Sequence, residues 1–412
     1  MKRKAFLIYK ITTCLVCLFY FSSLFAQWPQ FRGPNHDGSC NEPSLLKEWP
    51  EYGPKLAWAT DTIIGDGFAS AVIQNNIVYT SGKKDSVEYL TALDMSGKLL
   101  WQKPIGRASS KDWWPQGRST PTIYKDKVYA ITVLGDIACF DAKTGNEEWK
   151  MRAFEKFEGV GYDLKFGGIA ESPLVADDKI IITPCGKKTT MVALNRLNGQ
   201  TLWTSESIGD TSTHTSPVLI QEKGRKIVIT ATNNYTIAVD FNDGKMIWEF
   251  KQFRGILPLI DQKRFYLNGA FRTKGGAMFG LNNEMNNCSL LWEDTIKGNF
   301  MGGTLHVGNK IIGSSDNKQI GLFCINAETG KLISVNKEMN GCNMIAANDM
   351  IYTYEDRNGR VCLLKINENS LDLVSSFKVK LGNGPNLSHM SIANGLLFIR
   401  HGKVLMAYNI KQ

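Results

Sequence analysis

The sequence predicts an all-β fold, an eight-bladed β-propeller of four-stranded antiparallel blades that is closed by a strand from near the N-terminus. Three observations predict it. Tryptophan recurs at steps of 43, 48, 54, 45 and 44 residues, the length of one blade, at Trp58, Trp101, Trp149, Trp203, Trp248 and Trp292. The same succession of short apolar runs and turns fills each interval, and the last repeat contains only three predicted strands.

The repeat is clearest in one unit. Ser119–Pro121 opens it, Val128–Ile131 and Ile137–Asp141 are short apolar runs, and Lys143–Gly145 turns the chain towards Trp149. Such runs, rich in β-branched residues and bounded by turn residues, predict strands buried between layers. Glycine in the turn supplies the positive φ that a tight hairpin needs. We expect the large Trp side chains to fill the seams between blades and to be mostly buried.

The final repeat predicts how the ring closes. Ser388–Ala393, Leu396–Arg400 and Val404–Tyr408 supply three strands, and Lys55–Ala59 supplies an unused fourth strand before the first full repeat. Joining them removes an exposed sheet edge. The two preceding units keep the frame without Trp, and the unit that ends at Trp292 is irregular. Seven complete units and this shared one predict eight blades.

The first residues predict export. A basic start is followed by an apolar run over Ile11–Phe25 and by Ala26, a small residue suited to cleavage. The domains expected are a signal peptide over 1–26, an N-terminal extension over 27–54 and one propeller over 55–412. A membrane anchor is the alternative. Cys14 and Cys17 lie inside the apolar run, so we expect no lipidation.

Charge and cysteine content exclude several function classes. Without residues 1–26 the formal charge falls from +9 to +5 and no dense basic tract remains, so we expect no nucleic-acid partner. The mature chain has an odd number of cysteines, with no CxxC pair and no metal-ligand spacing. We therefore expect no Cys/His metal site and interpret them as buried reduced thiols: Cys40, Cys139, Cys185, Cys288, Cys324, Cys342 and Cys362.

Residues that break the repeat are the candidates for function. In a propeller the start of each innermost strand lies near the axis, and the residues just before these strands differ from blade to blade: Arg118, Glu171, His214, Arg254, Asn299, Asn343 and His389. A ring of different polar groups around one axis predicts a ligand pocket at the channel mouth. The alternative is a wet channel lined by ordinary hydrophilic residues.

Two inserted loops lie beside this ring. Trp113 and Trp114 are adjacent and stand outside the docking position, so one of them is free to stack on a flat ligand such as a sugar or a quinone. The alternative is a loop that covers the channel mouth. The second insertion carries Phe157, Tyr162 and Phe166 among charged residues.

The repeat resembles that of the PQQ-like propeller family. The match rests on Pro-x-apolar, Val-Tyr, Ala-x-Asp-x-x-Thr-Gly and Trp, best seen over Ser119–Trp149, and extends over residues 55–412. Trp28–Asn35 also looks like the start of many secreted PQQ-like proteins. The resemblance implies an eight-bladed fold. It leaves function open, because the family includes quinoprotein dehydrogenases and the lipoprotein scaffold of outer-membrane β-barrel assembly.

Three functions follow from these observations. We expect a monomeric, exported, non-catalytic scaffold, periplasmic or extracellular, that binds a protein, a small molecule or a carbohydrate at the propeller face. A quinoprotein dehydrogenase is the first alternative: the resemblance implies PQQ with calcium held by Glu171 and Asn299 or Asn343, but the mature chain has no adjacent cysteine pair and the ring has no Asp to act as base. A polysaccharide lyase using His214, His389, Arg118 and Arg254 is the second.

Overall fold

The structure is a computed structural model that describes residues 27–110, 117–161, 168–251, 261, 263–269, 275–299 and 302–412. Eight sheets stand around a common axis, and the described residues contain one helical turn, α1 (Ala153–Lys156). The predicted eight-bladed β-propeller is therefore confirmed. No helix in these ranges is long and apolar enough to cross a membrane.

Each blade is an antiparallel meander that runs from the axis outwards. Blade 1 comprises β3 (Val72–Gln74), β4 (Ile77–Lys84), β5 (Val87–Asp94) and β6 (Leu99–Arg107). Blade 2 comprises β7 (Thr122–Tyr124), β8 (Lys127–Ile131), β9 (Asp136–Asp141) and β10 (Glu147–Arg152), and blade 3 comprises β11 (Leu174–Ala176), β12 (Lys179–Ile182), β13 (Val192–Asn195) and β14 (Thr201–Thr204). Blade 4 comprises β15 (Val218–Glu222), β16 (Arg225–Ala231), β17 (Tyr235–Asp240) and β18 (Met246–Lys251).

The second half of the ring follows the same order. The described part of blade 5 comprises β19 (Arg264–Leu267), β20 (Ala277–Leu281) and β21 (Cys288–Glu293). Blade 6 comprises β22 (Leu305–Val307), β23 (Lys310–Ser314), β24 (Leu322–Asn326) and β25 (Leu332–Asn336). Blade 7 comprises β26 (Cys342–Ala347), β27 (Met350–Glu355), β28 (Arg360–Ile366) and β29 (Leu371–Lys378), with the short β1 (Ser39–Cys40) added in parallel to β26.

Blade 8 closes the ring with strands from both ends of the chain. It comprises β30 (Ser391–Ala393), β31 (Leu396–His401), β32 (Val404–Asn409) and, outermost, β2 (Lys55–Ala59). Leu56 lies opposite Tyr408 and Trp58 opposite Ala407. The predicted pairing of Lys55–Ala59 with the last strand is therefore confirmed.

The meanders give the disc two different faces. On one, called here the turn face, tight turns join the first strand to the second and the third to the fourth. Asn75 and Asn76 form one of these turns with φ of 51° and 61°, and Gly145 and Gly199 adopt the positive φ that the sequence predicts for the outer turns. The opposite face, the loop face, carries the connections from each blade to the next. Polar residues that precede the innermost strands therefore lie on the loop face.

Tryptophans of the repeat lie at the seams between blades. Trp149 packs on Gly199 of the next blade and donates from Nε1 to the Arg196 carbonyl (3.0 Å). A Cβ at Gly199 would lie 2.8 Å from the indole, so a larger residue would displace the ring. Trp58, Trp203 and Trp292 make the equivalent contacts, with Met95, Phe241 and Ala327 as acceptors.

Two seams depart from this rule. Trp101 packs on Gly145, but the Ala142 carbonyl accepts a hydrogen bond from the Tyr79 hydroxyl instead (2.8 Å). Trp248 stacks on Phe250 and Phe265, with ring centroids 5.7 and 6.1 Å away. Trp101, Trp203 and Trp248 are buried, whereas Trp58, Trp149 and Trp292 are half-buried.

The N-terminal segment, residues 28–45, begins in the central channel and ends on the turn face, where Leu45 pairs with Lys411 after β32. Trp28 exchanges backbone hydrogen bonds with Ile73 of the innermost strand β3 (2.9 and 2.8 Å), and Pro29 accepts from Ile123 of β7 (2.8 Å). β1 then pairs with the axial edge of β26 in blade 7, and Arg32 donates to the Thr304 carbonyl at the start of blade 6. Because blades 2 and 6 stand opposite each other in a ring of eight, a segment that bonds to both spans the channel. It therefore fills the channel from the turn face.

The insertion after β10 and the cysteines complete the core. Phe154 and Phe157, in and after α1, are buried between blades 2 and 3, whereas Tyr162 and Phe166 lie outside the described residues. The seven cysteines in the described residues are free thiols, and all but Cys40 and Cys288 are buried. Burial raises the pKa of the Cys139 thiol to about 12, so it is protonated and unreactive at neutral pH.

Candidate functional site at the channel mouth

The loop-face mouth of the channel is framed by the starts of the innermost strands. In four consecutive blades these starts are joined by backbone amides that donate to hydroxyls of the next blade. Ser70 donates to Thr120 (3.0 Å), Thr120 to Ser172 (3.0 Å) and Ser172 to Ser216 (2.9 Å). The Ser or Thr that opens each sequence repeat therefore fastens one blade to the next and makes this part of the mouth a continuous arc.

Three predicted site residues directly precede this arc. Arg118 and His214 stand two positions before the hydroxyl residue of their blades, and Glu171 stands one position before it. Arg118 and His214 are half-buried, whereas Glu171 is 1% exposed. The structure thus brings Arg118 and His214 to the same face of the disc.

The arc continues through blades 7 and 8. Asn343 donates from Nδ2 to the carbonyls of Leu387 (2.8 Å) and Ser388 (3.3 Å), and the Ser388 hydroxyl donates to the Phe68 carbonyl (2.7 Å). These bonds link three successive blade starts, so Asn343 and His389 lie on the mouth as well. The predicted residues Trp113, Trp114 and Arg254 lie outside the described residues.

The N-terminal segment provides the floor of the mouth. The Phe31 ring meets the His389 ring edge-on, with centroids 4.9 Å apart. Arg32 is 2% exposed and donates to the carbonyls of Thr304, at the start of blade 6, and Asp37 (2.9 Å). Desolvation lowers the pKa of Arg32 to about 10, against the opposing charge of Asp37, which still leaves it a cation at neutral pH. The sequence motif around Trp28–Asn35 therefore closes the channel just beneath the polar ring.

Glu171 is held inside its blade. Its Oε1 accepts the Thr183 N–H (2.8 Å), and burial raises the pKa of its carboxyl to about 8. A protonated, buried carboxyl is a poor calcium ligand. Glu171 therefore serves as a buried hydrogen-bonding group within blade 3.

Glu88 is a second buried carboxyl, and it links blades 1 and 2. It is fully buried and accepts the Val133 N–H (2.9 Å), and burial raises its pKa to about 8 although Arg118 lowers it. Glu88 does not precede an innermost strand, so it is not among the predicted site residues. The available signal was its place in β5, two and four residues before Leu90 and Ala92, because alternate residues of a strand share a face and this face is otherwise apolar.

Asn299 lies beside a pair of carboxylates. Its Nδ2 donates to Asp316 (2.7 Å) and lies 3.4 Å from Asp356, and its Oδ1 accepts the Gly302 N–H (2.7 Å). Burial and the nearby Asp316 raise the pKa of Asp356. The expectation that the ring has no Asp was therefore wrong. Both aspartates follow the second strands of their blades, whereas the predicted ring comprises only residues before the innermost strands.

The donors implied for PQQ and calcium do not converge on one site in the described residues. Glu171 is bonded within blade 3, Asn343 is bonded to blade 8, and Asn299 is held by Asp316 and Gly302. No three His, Cys, Asp or Glu side chains in the described ranges are grouped to hold a metal ion. These residues therefore do not fit PQQ with calcium.

The buried Glu171 predicts a pH dependence of stability. The pKa in the folded chain, about 8, lies above the ordinary 4.5, so between these values the folded chain keeps a proton that the unfolded chain has lost. The free energy of unfolding should therefore fall as pH rises through this interval, with a Glu171 contribution of at most about 1.4 kcal/mol per pH unit. Urea unfolding at pH 5, 6.5 and 8 should show a smaller fall for Glu171→Gln than for wild type.

The matched control for this experiment is Glu155→Gln, since the Glu155 side chain is 60% exposed. It should retain the wild-type pH dependence. Equal slopes for wild type and Glu171→Gln would show that Glu171 is already ionised in the folded chain.

Comparisons with solved structures show the same fold. BamB from Moraxella catarrhalis superposes with a TM-score of 0.61 at 15% identity, covering 87% of this chain and 98% of that one. A europium-containing methanol dehydrogenase gives 0.66 at 12% identity, covering 92% and 90%. Quinohemoprotein alcohol dehydrogenase from Comamonas testosteroni gives 0.65 at 12% identity, covering 94% and 81%. At these identities the likeness concerns the fold alone. No curated protein matches the sequence.

A family model matches most of the propeller. The model described as outer membrane protein assembly factor BamB matches residues 58–163 and 83–333, more than half of the chain. The structures similar to this chain include both a BamB and an alcohol dehydrogenase. The family match therefore establishes the family and leaves the activity open. The chain belongs to the PQQ-like β-propeller family whose model is described as outer membrane protein assembly factor BamB.

Proposed function

We propose that this chain is a non-catalytic binding scaffold, exported to the cell envelope by residues 1–26 and acting as a monomer. The observation that carries the proposal is the use of the polar residues at the channel mouth. Glu171, Asn299 and Asn343 are engaged in hydrogen bonds within or between blades, and the N-terminal segment floors the channel. Groups held in this way form a rigid platform, and rigid platforms favour recognition because little order is lost on binding.

The partner surface proposed is the loop face around the mouth. Arg118 and His214 are half-buried there and offer directional polar contacts, and Lys187 and Asn234 extend the same face as exposed residues. The Trp113-Trp114 loop, outside the described residues, would add stacking area. This combination suits a protein segment, which the membership of an assembly-factor family also supports. Arg254 belongs to the same proposal, and no nucleic-acid partner is proposed.

Site-specific photocrosslinking in the producing cell tests this proposal. A photoreactive amino acid at Lys187 or Asn234, on the loop face, should yield a discrete protein adduct. The matched control positions are Lys143 and Asn198, exposed residues in outer turns on the turn face. The Trp113→Ala, Arg118→Ala double variant should weaken the adduct while far-UV circular dichroism stays unchanged. Adducts formed equally from both faces, or only from the turn face, would contradict a loop-face partner.

Two measurements on the purified chain distinguish the scaffold from the two enzymatic alternatives. Native mass spectrometry and the absorbance spectrum of the purified chain would reveal a bound quinone or calcium. Their stoichiometric presence would overturn the scaffold proposal in favour of a quinoprotein. Turnover of a uronate polysaccharide that depends on His214 and His389 would favour a lyase instead.

A further inference from the structure

A cavity of about 910 Å³ opens on the turn face where blade 8 meets blade 1. Three separate parts of the chain line it: the N-terminal segment, the turns of blade 1 and the end of blade 8. The lining residues include Glu42, Asn76, Asp94, Met95, Asn394 and Lys411. Its volume is within the range typical of small-molecule sites. It lies on the face opposite the channel mouth.

Glu42 points to a ligand in this cavity. Its side chain is 5% exposed, and its Oε1 accepts the Gly395 N–H. Its Oε2 is buried and has no hydrogen-bond partner in the part of the chain that the structure describes. Leaving a buried acceptor unsatisfied costs about 1–3 kcal/mol, and more for a charged group. A donor group on a ligand would remove that cost.

The surroundings of Glu42 select an uncharged donor. Lys411, on the cavity wall, already opposes the charge of Glu42 and lowers its pKa against the larger effect of burial. What is missing is therefore a hydrogen bond and not a counter-ion. A ligand hydroxyl supplies the bond without adding charge to the site.

The rest of the wall suits a ligand with many hydroxyls. Asn394 donates to Asn76 Oδ1 (3.0 Å), and primary amides such as these offer both donors and acceptors. Asp94 adds its Oδ2 as an acceptor, since Oδ1 already accepts from Ser96 and Lys98. Met95 adds apolar surface beside the Trp58 indole, whose Nε1 donates to the Met95 carbonyl (2.7 Å). A hydroxyl is at once donor and acceptor, so a sugar can bond to amides and carboxylates together. We propose that this cavity binds a neutral saccharide, with Glu42 Oε2 accepting a sugar hydroxyl.

Saturation-transfer NMR and calorimetry with neutral disaccharides test this proposal. Maltose, cellobiose, sucrose and N,N′-diacetylchitobiose are titrated into the mature chain, and at least one should saturate. Glu42→Gln keeps an acceptor for Gly395 but replaces Oε2 with a donor. It should weaken binding by at least about tenfold, the loss expected for one hydrogen bond to a charged group. Asn76→Gly, at an exposed turn with a φ of 61° that glycine adopts freely, should weaken binding without affecting the fold.

Glu48→Gln is the matched control, because Glu48 is exposed and does not line the cavity. It should bind as wild type does. Three outcomes would overturn the proposal: no disaccharide saturates, spermidine binds in their place, or both Glu42→Gln and Asn76→Gly bind like wild type. If Glu42→Gln misfolds, Asn76→Gly alone decides. The result is independent of the loop-face partner, since the crosslinking positions lie on other parts of the disc.

Discussion

Deleting residues 27–60 should abolish cooperative folding of the propeller. The deletion removes β2, the outermost strand of blade 8, and leaves the edge of β32 unpaired. It also removes Trp58, which seals the seam between blades 8 and 1, and the buried Trp28 and Trp49. Loss of a buried Trp costs about 3–5 kcal/mol, so the losses of Trp28 and Trp49 alone amount to about 6–10 kcal/mol, which is comparable to the net stability of a typical domain.

A shorter deletion is the matched comparison. Removing residues 27–46 takes away the whole N-terminal segment but keeps Trp49, β2 and Trp58. That variant should unfold cooperatively at a lower temperature than wild type, because the ring is still closed. The measurement is thermal unfolding followed by circular dichroism for the mature chain and both deletions. A 27–60 deletion that unfolds at the wild-type temperature would show that β2 does not hold the ring together.

The closure could be predicted from sequence because it follows from counting. Each blade needs four strands, the final repeat offers three, and Lys55–Ala59 has the pattern of the missing one. The seams could be predicted for a related reason: Trp149 and Gly199 recur at fixed places, and a bulky ring can pack closely only on a residue without a side chain. Sequence features that recur in each repeat therefore predict the contacts that recur between blades.

The N-terminal segment could not be placed in the same way. Residues 28–45 carry no repeat, and Arg32 and His36 adopt φ of 60°, outside any strand pattern. Nothing in such a sequence indicates that Trp28 will pair with β3 and Arg32 with the start of blade 6. The motif Trp28–Asn35 indicated a family likeness, but its position in the channel depends on contacts between residues more than 270 positions apart, such as Arg32 and Thr304.

The candidate site was predictable in position and not in chemistry. Residues before the innermost strands do frame the mouth, as ring geometry requires. Whether Glu171 faces a ligand or is buried within its blade depends on one peptide N–H, that of Thr183, which no sequence pattern reveals. Asp316 and Asp356 reach Asn299 from two different blades, and only the assembled ring brings them together.

Replacing Arg400 should destabilise the chain more than any exposed substitution, because this side chain joins blade 8 to blade 1. It is 1% exposed. Its guanidinium donates to the carbonyls of Gly65 (3.1 Å), Ala69 (3.1 Å), Ser81 and Gly402 (2.9 Å) and to the Thr80 hydroxyl (3.0 Å). Desolvation lowers the pKa of Arg400 to about 9, although Asp66 and Glu88 raise it, so the cation is held mainly by carbonyl dipoles.

Two opposing effects decide the outcome of Arg400→Met. Methionine removes the cost of burying a cation, but it leaves the carbonyls of Gly65, Ser81 and Gly402 without this donor. Each unsatisfied buried acceptor costs about 1–3 kcal/mol, so we expect a net loss of about 3 kcal/mol in the free energy of unfolding. Arg400→Lys should lose less, because an ammonium keeps the charge but has three donors where the guanidinium has five.

Urea unfolding of wild type, Arg400→Met, Arg400→Lys and Arg152→Met measures these differences. The Arg152 side chain is 61% exposed, so its replacement should change stability by less than about 0.5 kcal/mol. A Met variant as stable as wild type would mean that the desolvation of Arg400 outweighs its hydrogen bonds. Equal losses in the free energy of unfolding for Arg400→Met and Arg400→Lys would mean that the planar guanidinium with its several donors, and not the charge, stabilises the seam. The expected order is wild type, Lys, then Met, because the seam between blades 8 and 1 needs both several donors and a positive charge near Asp66.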